Sequence, residues 1–374
     1  MRKRRFDVLV VGAGPAGRGV SILLQQYLGI RNFSVVDRYG VGASFARWPK
    51  EMRLITPSFP GNGFGAFDLN SIAVGTSPAH SLQCEHPSGV EYAAYLRAVA
   101  EHFELPVETG VEVFGVEPDA GDSLLHIHTS LGPRTTRFVV WAAGEFQSPR
   151  TSSFPGAESC THVGQVGSWK DVAKDQALVI GGAESGIDAA VNLARLGASV
   201  RVLDPHFTLE DEASDPSVVL SPYTRRRLVA AQRRGSIELI ETPQVVEVRT
   251  SHERYEILGA DGSRFRTGTP PILANGFETS ARLLQPHFAW RDDGCPVLSA
   301  DDESTVVPGL FLAGPGVRHD HHVFCFIYKF RQRFAVVARA IGSRLGIDVE
   351  PLEALRAEGM FLDDLSCCGS ECVC

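Results

Sequence analysis

Val8-Leu9-Val10-Val11-Gly12-Ala13-Gly14-Pro15-Ala16-Gly17 is the stretch on which the fold turns. The apolar run from Phe6 to Val11 reads as a buried strand, and Gly12-x-Gly14-x-x-Gly17 as the turn that follows it. From Gly17 to Leu28 the residues Val20, Leu23, Leu24 and Tyr27 recur at helical spacing, and Phe33-Ser34-Val35-Val36 is a second strand that ends in Asp37. Each part of this unit has a physical job. Gly12 makes the tight turn, Gly14 lets the backbone approach a pyrophosphate, and Gly17 permits close packing of helix on strand. The helix N-terminus holds the phosphates, and Asp37 accepts a hydrogen bond from an adenosine ribose. The unit predicts an adenine-dinucleotide site.

A second unit of the same kind follows. Leu178-Val179-Ile180 reads as a strand, Gly181-Gly182-Ala183-Glu184-Ser185-Gly186 as its turn, Ile187 to Leu196 as a helix, and Ser199 to Leu203 as the next strand, ending at Asp204. Ala183 replaces the middle glycine and is small enough to keep a phosphate approach open. Phe138 to Gly144 and Ile272 to Gly276 are apolar strands ending in small residues, where the chain passes between two nested nucleotide-binding domains. Gly309 to Gly314 reads as a further buried strand and Phe330 to Leu345 as a long helix. The expected fold is therefore α/β, with two nested Rossmann-like dinucleotide-binding domains and a flexible cysteine-rich C-terminal tail. The first domain takes residues 1–155 and 278–346, the inserted domain 156–277, and the tail 347–374. Two such sites imply two cofactors, a bound flavin and a diffusible nicotinamide that passes hydride to it.

Composition narrows the function classes. The chain has 374 residues, a net charge of -8 and 44% hydrophobic positions, so it needs no disulfide staples to form a core. An acidic chain with scattered arginines, apart from Arg225 to Arg227 and Arg233-Arg234, offers no broad footprint for a phosphate backbone, which argues against nucleic acid. Arg2 to Arg5 ahead of an apolar run imitate a signal peptide, but the run is too short and enters the glycine turn. No stretch approaches the ~18 apolar residues of a membrane span, and a cytoplasmic protein is expected. Of the eight cysteines, Cys367, Cys368, Cys372 and Cys374 occupy half of the last eight positions.

From about residue 6 to residue 345 the chain resembles the two-dinucleotide-binding-domain flavoproteins of thioredoxin-reductase layout, and most closely in pattern the bacillithiol-disulfide-reductase-like proteins. The resemblance is carried by Gly42-x-Ser44-Phe45 with Trp48-Pro49, Met52 and Thr56-Pro57-Ser58-Phe59, and by Gly181 to Asp188. Gly309 to Pro315 and Tyr328 to Phe334 continue it. Group B flavin monooxygenases share the outline and are the near rival. The resemblance implies FAD at the first site, with Gly12, Gly14, Gly17 and Asp37 on its adenosine diphosphate and Ser44, Phe45, Trp48 and Met52 along the pyrophosphate and flavin. It further implies Gly144 and Gly276 at the two domain crossings, Gly314 by the ribityl chain, and Arg331 with Gln332, opening the last helix, at the pyrimidine edge. NAD(P)H would lie on Gly181, Gly182, Ala183, Glu184, Ser185, Gly186 and Asp204. Asp204 favours NADH, Arg201 or Arg225 to Arg227 suit a 2′-phosphate, and the family leans to NADPH, so the choice stays open.

Three departures from the family stand out. The inserted domain has no Cys-x-x-Cys, Ala16 stands where the bacillithiol-reductase-like proteins carry a loop cysteine, and Gly314-Pro315 replaces Gly-Asp. The tail cysteines resemble the C-terminal pair of mercuric reductases. They admit a dithiol relay to a small-molecule or protein disulfide, capture of a soft metal or metalloid ion, or no role at all. Residues 346–366, with Gly346, Pro351 and Gly359, read as a mobile arm. His319-Asp320-His321-His322 with Cys325 could supply a proton donor or metal ligands, and His162 and Trp169 fit a monooxygenase-like linker. A homo-oligomer, such as a dimer, is expected.

Overall fold

A computed structural model of the chain describes residues 4–60, 67–119, 121, 123–208, 215–252 and 254–366. The chain divides into two units. One gathers the residues up to Ala46, Pro57–Glu145 and the described residues from Thr279 onward; the other gathers Arg47–Thr56 and Phe146–Glu278.

In the first unit the strand Arg4–Val11 lies at the middle of the sheet. Val8, Leu9 and Val10 are fully buried, as expected where a parallel strand is covered on both faces and its sequence is apolar throughout. Phe33–Asp37 pairs with one edge of it in parallel, Val8 opposite Phe33, and Val107–Thr109 extends the sheet beyond. Arg134–Trp141 pairs with the other edge, Val8 opposite Phe138. The outer edge of Arg134–Trp141 is shared: its first half is antiparallel to Leu125–Thr129, and its second half is parallel to Leu310–Leu312. The C-terminal ends of Arg4–Val11, Arg134–Trp141 and Leu310–Leu312 therefore converge at one sheet end.

The helix Pro15–Ile22 starts with proline inside its first turn and Gly14 at the N-cap, then runs on as a π-helical turn through Tyr27. Proline is preset for a first helical turn, because its missing N–H has no helical partner there. Gly19 on this helix faces the Phe334 ring so closely that any side chain would collide with it. That approach docks the helix Phe334–Leu345, which follows the turns Ile327–Phe330 and Arg331–Arg333 without a break.

The chain beyond that helix corrects the expectation of a flexible tail from residue 347. A 3-10 turn, Glu350–Arg356, buries Leu352 and Leu355, and Met360 and Phe361 follow them into the core. The Leu362 amide donates to the Gln332 carbonyl at 3.0 Å, and the Arg333 guanidinium donates to the Leu362 carbonyl at 2.6 Å. Asp363 is held between Arg339 and Arg356, and these two arginines drive its carboxyl well below the usual range against the opposing effect of burial. Burial of four apolar side chains outweighs the linker-like Gly346, Pro351 and Gly359.

The second unit repeats the plan. Gln176–Ile180, Ser199–Asp204, Ile237–Glu241, Ile272–Leu273 and Thr161–His162 form an all-parallel sheet. Val200 and Val202 face the helix Glu184–Arg195, while Leu203 faces the opposite side with Val245, Val248 and Ile257. The antiparallel strands Val245–Ser251, Arg254–Gly259 and Arg264–Thr267 cover that side. Arg47–Thr56 belongs here although the sequence places it in the first domain. Glu51 anchors it there: its carboxylate accepts from the Ser168 hydroxyl at 2.6 Å and the Trp169 amide at 3.0 Å, adding to the Ser168 N-cap at the start of the short helix Trp169–Val172. Among the described residues, no helix is long and apolar enough to cross a membrane.

Candidate functional site

Gly12 sits at φ +109°, and a Cβ there would collide with the Ala142 carbonyl. Gly17 is pressed against the Gly12 carbonyl in the same way. Gly14 is different. It has φ -83°, and a Cβ on it would meet nothing within 4 Å, so two glycines serve the turn and the middle one keeps its outer face open. The helix behind it begins with no side-chain cap. Its first N–H groups, which have no helical acceptor, are presented to a ligand at the positive end of the helix dipole. Gly314, at φ +108°, lies against Ala16 with 3.2 Å available to a Cβ, and Gly144, at φ +70°, has open space around it. This cradle fits the pyrophosphate of a dinucleotide.

The acids at the strand ends do more than the sequence indicates. Asp37 Oδ2 accepts from the Ala13 amide at 2.8 Å, and Oδ1 accepts from the Tyr39 and Gly40 amides at 2.8 and 2.7 Å. Asp204 repeats the arrangement, accepting from the Gly182 amide at 2.6 Å and the His206 amide at 2.9 Å. Each acid fastens its own glycine loop. Arg18, which the sequence reading missed, is fully buried beneath the first loop and donates to the Ala13 and Leu96 carbonyls at 3.0 and 3.1 Å. Burial lowers its pKa to about 10, with Asp37 opposing the shift. The only sequence signal was a charged residue on the buried side of the helix.

In the second unit Gly181 at φ +106° abuts the Ala274 carbonyl, and Gly186 abuts Gly181. These are the contacts of Gly12 and Gly17 over again. Ala183 takes the N-cap position with its side chain exposed, and the helix again lacks a side-chain cap. Ser185 is half-buried in the first turn of that helix. Glu184 is committed elsewhere: its carboxylate accepts from the Ser221 amide and from the Thr224 hydroxyl, fastening the start of the helix Pro222–Gln232. Gly276, at φ +82°, is positioned by His162. The His162 ring accepts from the Gly164 amide at Nδ1 (3.0 Å) and meets the Gly276 carbonyl at Nε2 (3.0 Å), which requires the neutral ring with its proton on Nε2. Burial lowers the pKa of His162, with the bonds to Gly276 and Asn275 opposing.

The other expected residues are spread over several elements. Arg331 does not open the last helix; it lies inside the helical run that starts at Ile327. Its guanidinium is buried, donates to the Asp68 and Ser71 carbonyls and stacks 4.6 Å from the Phe67 ring, and so fixes the 67–71 segment. Burial lowers its pKa to about 10, with Asp68 opposing. Gln332 is half-buried, and its carbonyl holds Leu362. Ser44 and Phe45 lie on the short helix Ala43–Ala46 of the first unit, Phe45 with its ring centroid 4.7 Å from that of Tyr92. Trp48 and Met52 belong to the second unit. His319 is engaged by Asp302 at 2.5 Å, and Arg333 grips the same carboxylate at 2.7 Å. Among the described residues no group of three metal-ligating side chains comes together. Cys367, Cys368, Cys372 and Cys374 lie outside the described residues.

Comparison with known proteins agrees with this geometry. An uncharacterized oxidoreductase CzcO of Bacillus velezensis is 30% identical over 200 residues, 51% of this chain and 52% of that protein. The chain spans about half the length of the curated relatives it matches. Among solved structures, the bacillithiol disulfide reductase of Staphylococcus aureus superposes with a TM-score of 0.72 at 19% identity, covering 91% of this chain and 99% of that one. A flavin-containing monooxygenase of Stenotrophomonas maltophilia gives a TM-score of 0.68 at 18% identity, covering 91% and 99%. Residues 9–314 match the model of the pyridine nucleotide-disulphide oxidoreductase family. The chain belongs to that family, whose members are flavin-dependent enzymes that work with FAD and NAD(P)H.

Proposed function

We propose that this oxidoreductase passes electrons from NAD(P)H to a disulfide or thiol-bound substrate, with Cys367, Cys368, Cys372 and Cys374 as the carrier. The net reaction takes NAD(P)H, a proton and a disulfide to NAD(P)⁺ and two thiols. FAD supplies a two-electron store between the two substrates.

The observation that carries the reading is the state of the other cysteines. None of Cys84, Cys160, Cys295 and Cys325 forms a disulfide, and no two stand in a Cys-x-x-Cys. Burial, with Glu158 adding to it, pushes the Cys160 thiol up to about 12, and burial also pushes Cys295 up. A thiol must be a thiolate to attack a disulfide, so these two are poor carriers near neutral pH. Ala16 removes the loop thiol. The terminal cluster is the remaining concentration of thiols. Leu362 is fixed to Gln332 and Arg333, so an extended chain carries Cys367 at most ~18 Å and Cys374 at most ~43 Å from it.

The test compares the full chain with one ending at Ser366. The reading expects equal flavin content and equal anaerobic flavin reduction by NAD(P)H, with disulfide turnover lost in the shortened chain. Undiminished turnover would remove the cysteines from the reaction. Ala16 also favours a second reading, oxygen insertion, because no loop thiol diverts the electrons. That reading expects oxygen uptake matched by a hydroxylated product and indifferent to loss of the tail.

A further inference from the structure

We propose that the second unit selects NADH over NADPH, and that Asp204 and Glu241 together exclude a 2′-phosphate. This rests on that unit being the nicotinamide-nucleotide site. Asp204 ends the strand Ser199–Asp204, at the position from which a βαβ unit of this kind addresses the adenosine ribose. Its two oxygens are fixed by the Gly182 and His206 amides, so the carboxylate cannot swing away from an incoming phosphate without releasing the glycine loop.

A second carboxylate stands beside it. Ile237–Glu241 pairs in parallel with Ser199–Asp204, and Glu241 is the direct partner of Asp204. Partners across a parallel ladder project to the same face, one strand spacing of about 4.8 Å apart. Glu241 is exposed. A 2′-hydroxyl placed there donates a hydrogen bond to a carboxylate, whereas a 2′-phosphate meets two like charges.

Two of the arginines that could offset those charges are committed. Arg201 is three positions before Asp204, hence on the other face of the strand, and donates to the Arg266 carbonyl at 2.6 Å. Arg227 is held by Asp188 at 2.6 Å and by Asn192 at 3.3 Å. From Asp204 to Thr224 the sequence contains no lysine or arginine. Arg225 and Arg226 are exposed on the helix Pro222–Gln232, and they are the cations a 2′-phosphate would have to recruit.

The test is calorimetric titration of the FAD-loaded chain with NAD⁺ and with NADP⁺ at pH 8, above the ordinary range of histidine titration. The proposal expects NAD⁺ to bind at least about tenfold tighter, a difference of ~1.4 kcal/mol. Glu241→Arg, at an exposed position, is expected to strengthen NADP⁺ binding several-fold. Asp204→Asn, which keeps an acceptor for the Gly182 amide, is expected to weaken NAD⁺ and narrow the ratio. Equal or tighter binding of NADP⁺ by the unaltered chain overturns the preference and leaves the nucleotide site standing. A ratio unmoved by both substitutions overturns the assignment of the two carboxylates. Failure of both nucleotides to bind overturns the preference together with the reading of the unit as a nicotinamide site.

Discussion

Asp37 accepts a hydrogen bond from the Ala13 amide at 2.8 Å, tying the acid that ends the second strand to the middle of the glycine turn. With Tyr39 and Gly40 it gathers three amides in all, and Asp204 does the same for Gly182 and His206. The acid therefore shapes the loop before any ribose arrives. Asp37→Ala strands three donors that had a charged acceptor, and hydrogen bonds to charged groups contribute about 1.5–3 kcal/mol each. Partial exposure lets water replace some of this, so a loss on the order of 2–4 kcal/mol is expected in urea unfolding of the flavin-free chain. Unchanged stability of the flavin-free variant would confine Asp37 to ligand contact.

The glycines of the first turn separate folding from binding. Gly12→Ala forces a side chain onto the Ala142 carbonyl at φ +109° and should cost several kcal/mol, as steric faults at special backbone positions do. Gly14→Leu has open space at an ordinary φ of -83°. It should fold with a near-normal thermal midpoint yet retain little FAD, because the side chain fills the phosphate approach. Circular dichroism and flavin absorbance of the two variants check this, and a yellow Gly14→Leu protein would contradict it.

His162 gives a pH dependence with a defined sign. Its folded pKa is lowered, first by burial, so below the usual histidine range the unfolded chain binds a proton that the folded chain does not. Linkage then makes this contribution complete above the unfolded pKa of about 6.5 and progressively lost as the pH falls below it. Histidine NMR should show His162 titrating below the free-histidine value, with the neutral ring carrying its proton on Nε2. Titration at or above the free-histidine value would refute this.

The two βαβ units are legible in the sequence because all their signals are local. An apolar run, glycines at fixed spacing, a helical period and a terminal acid fall within about thirty residues. What escaped is long-range. Glu51 caps a helix start 117 positions later in sequence, and Arg331 reaches carbonyls 263 and 260 positions away, so no local pattern marks either. The segment after Gly346 is a different kind of miss. Its glycines and proline describe a linker, while Leu352, Leu355, Met360 and Phe361 describe a packed strap, and burial of the four apolar side chains decides the outcome.

Ending the chain at two different points separates that strap from the cysteines beyond it. A chain ending at Gly346 loses four buried side chains, among them Leu352 and Met360 at 0% exposure, and each fully buried side chain of this size contributes roughly 1.5–3 kcal/mol. It also leaves Arg333 without its Leu362 acceptor and Arg339 without Asp363. The sum, about 6 kcal/mol or more, is comparable with the entire stability of a typical domain at 5–15 kcal/mol, so this chain should be insoluble or melt at far lower temperature. A chain ending at Ser366 keeps every one of these contacts and should melt as the full chain does. Thermal melts and soluble yield of the two truncations are the check, and a chain ending at Gly346 that melts like the full one would show the strap to be dispensable. Loss of turnover is therefore diagnostic of the cysteines only in the chain ending at Ser366, because in the shorter one it would follow from the unfolding of the first unit.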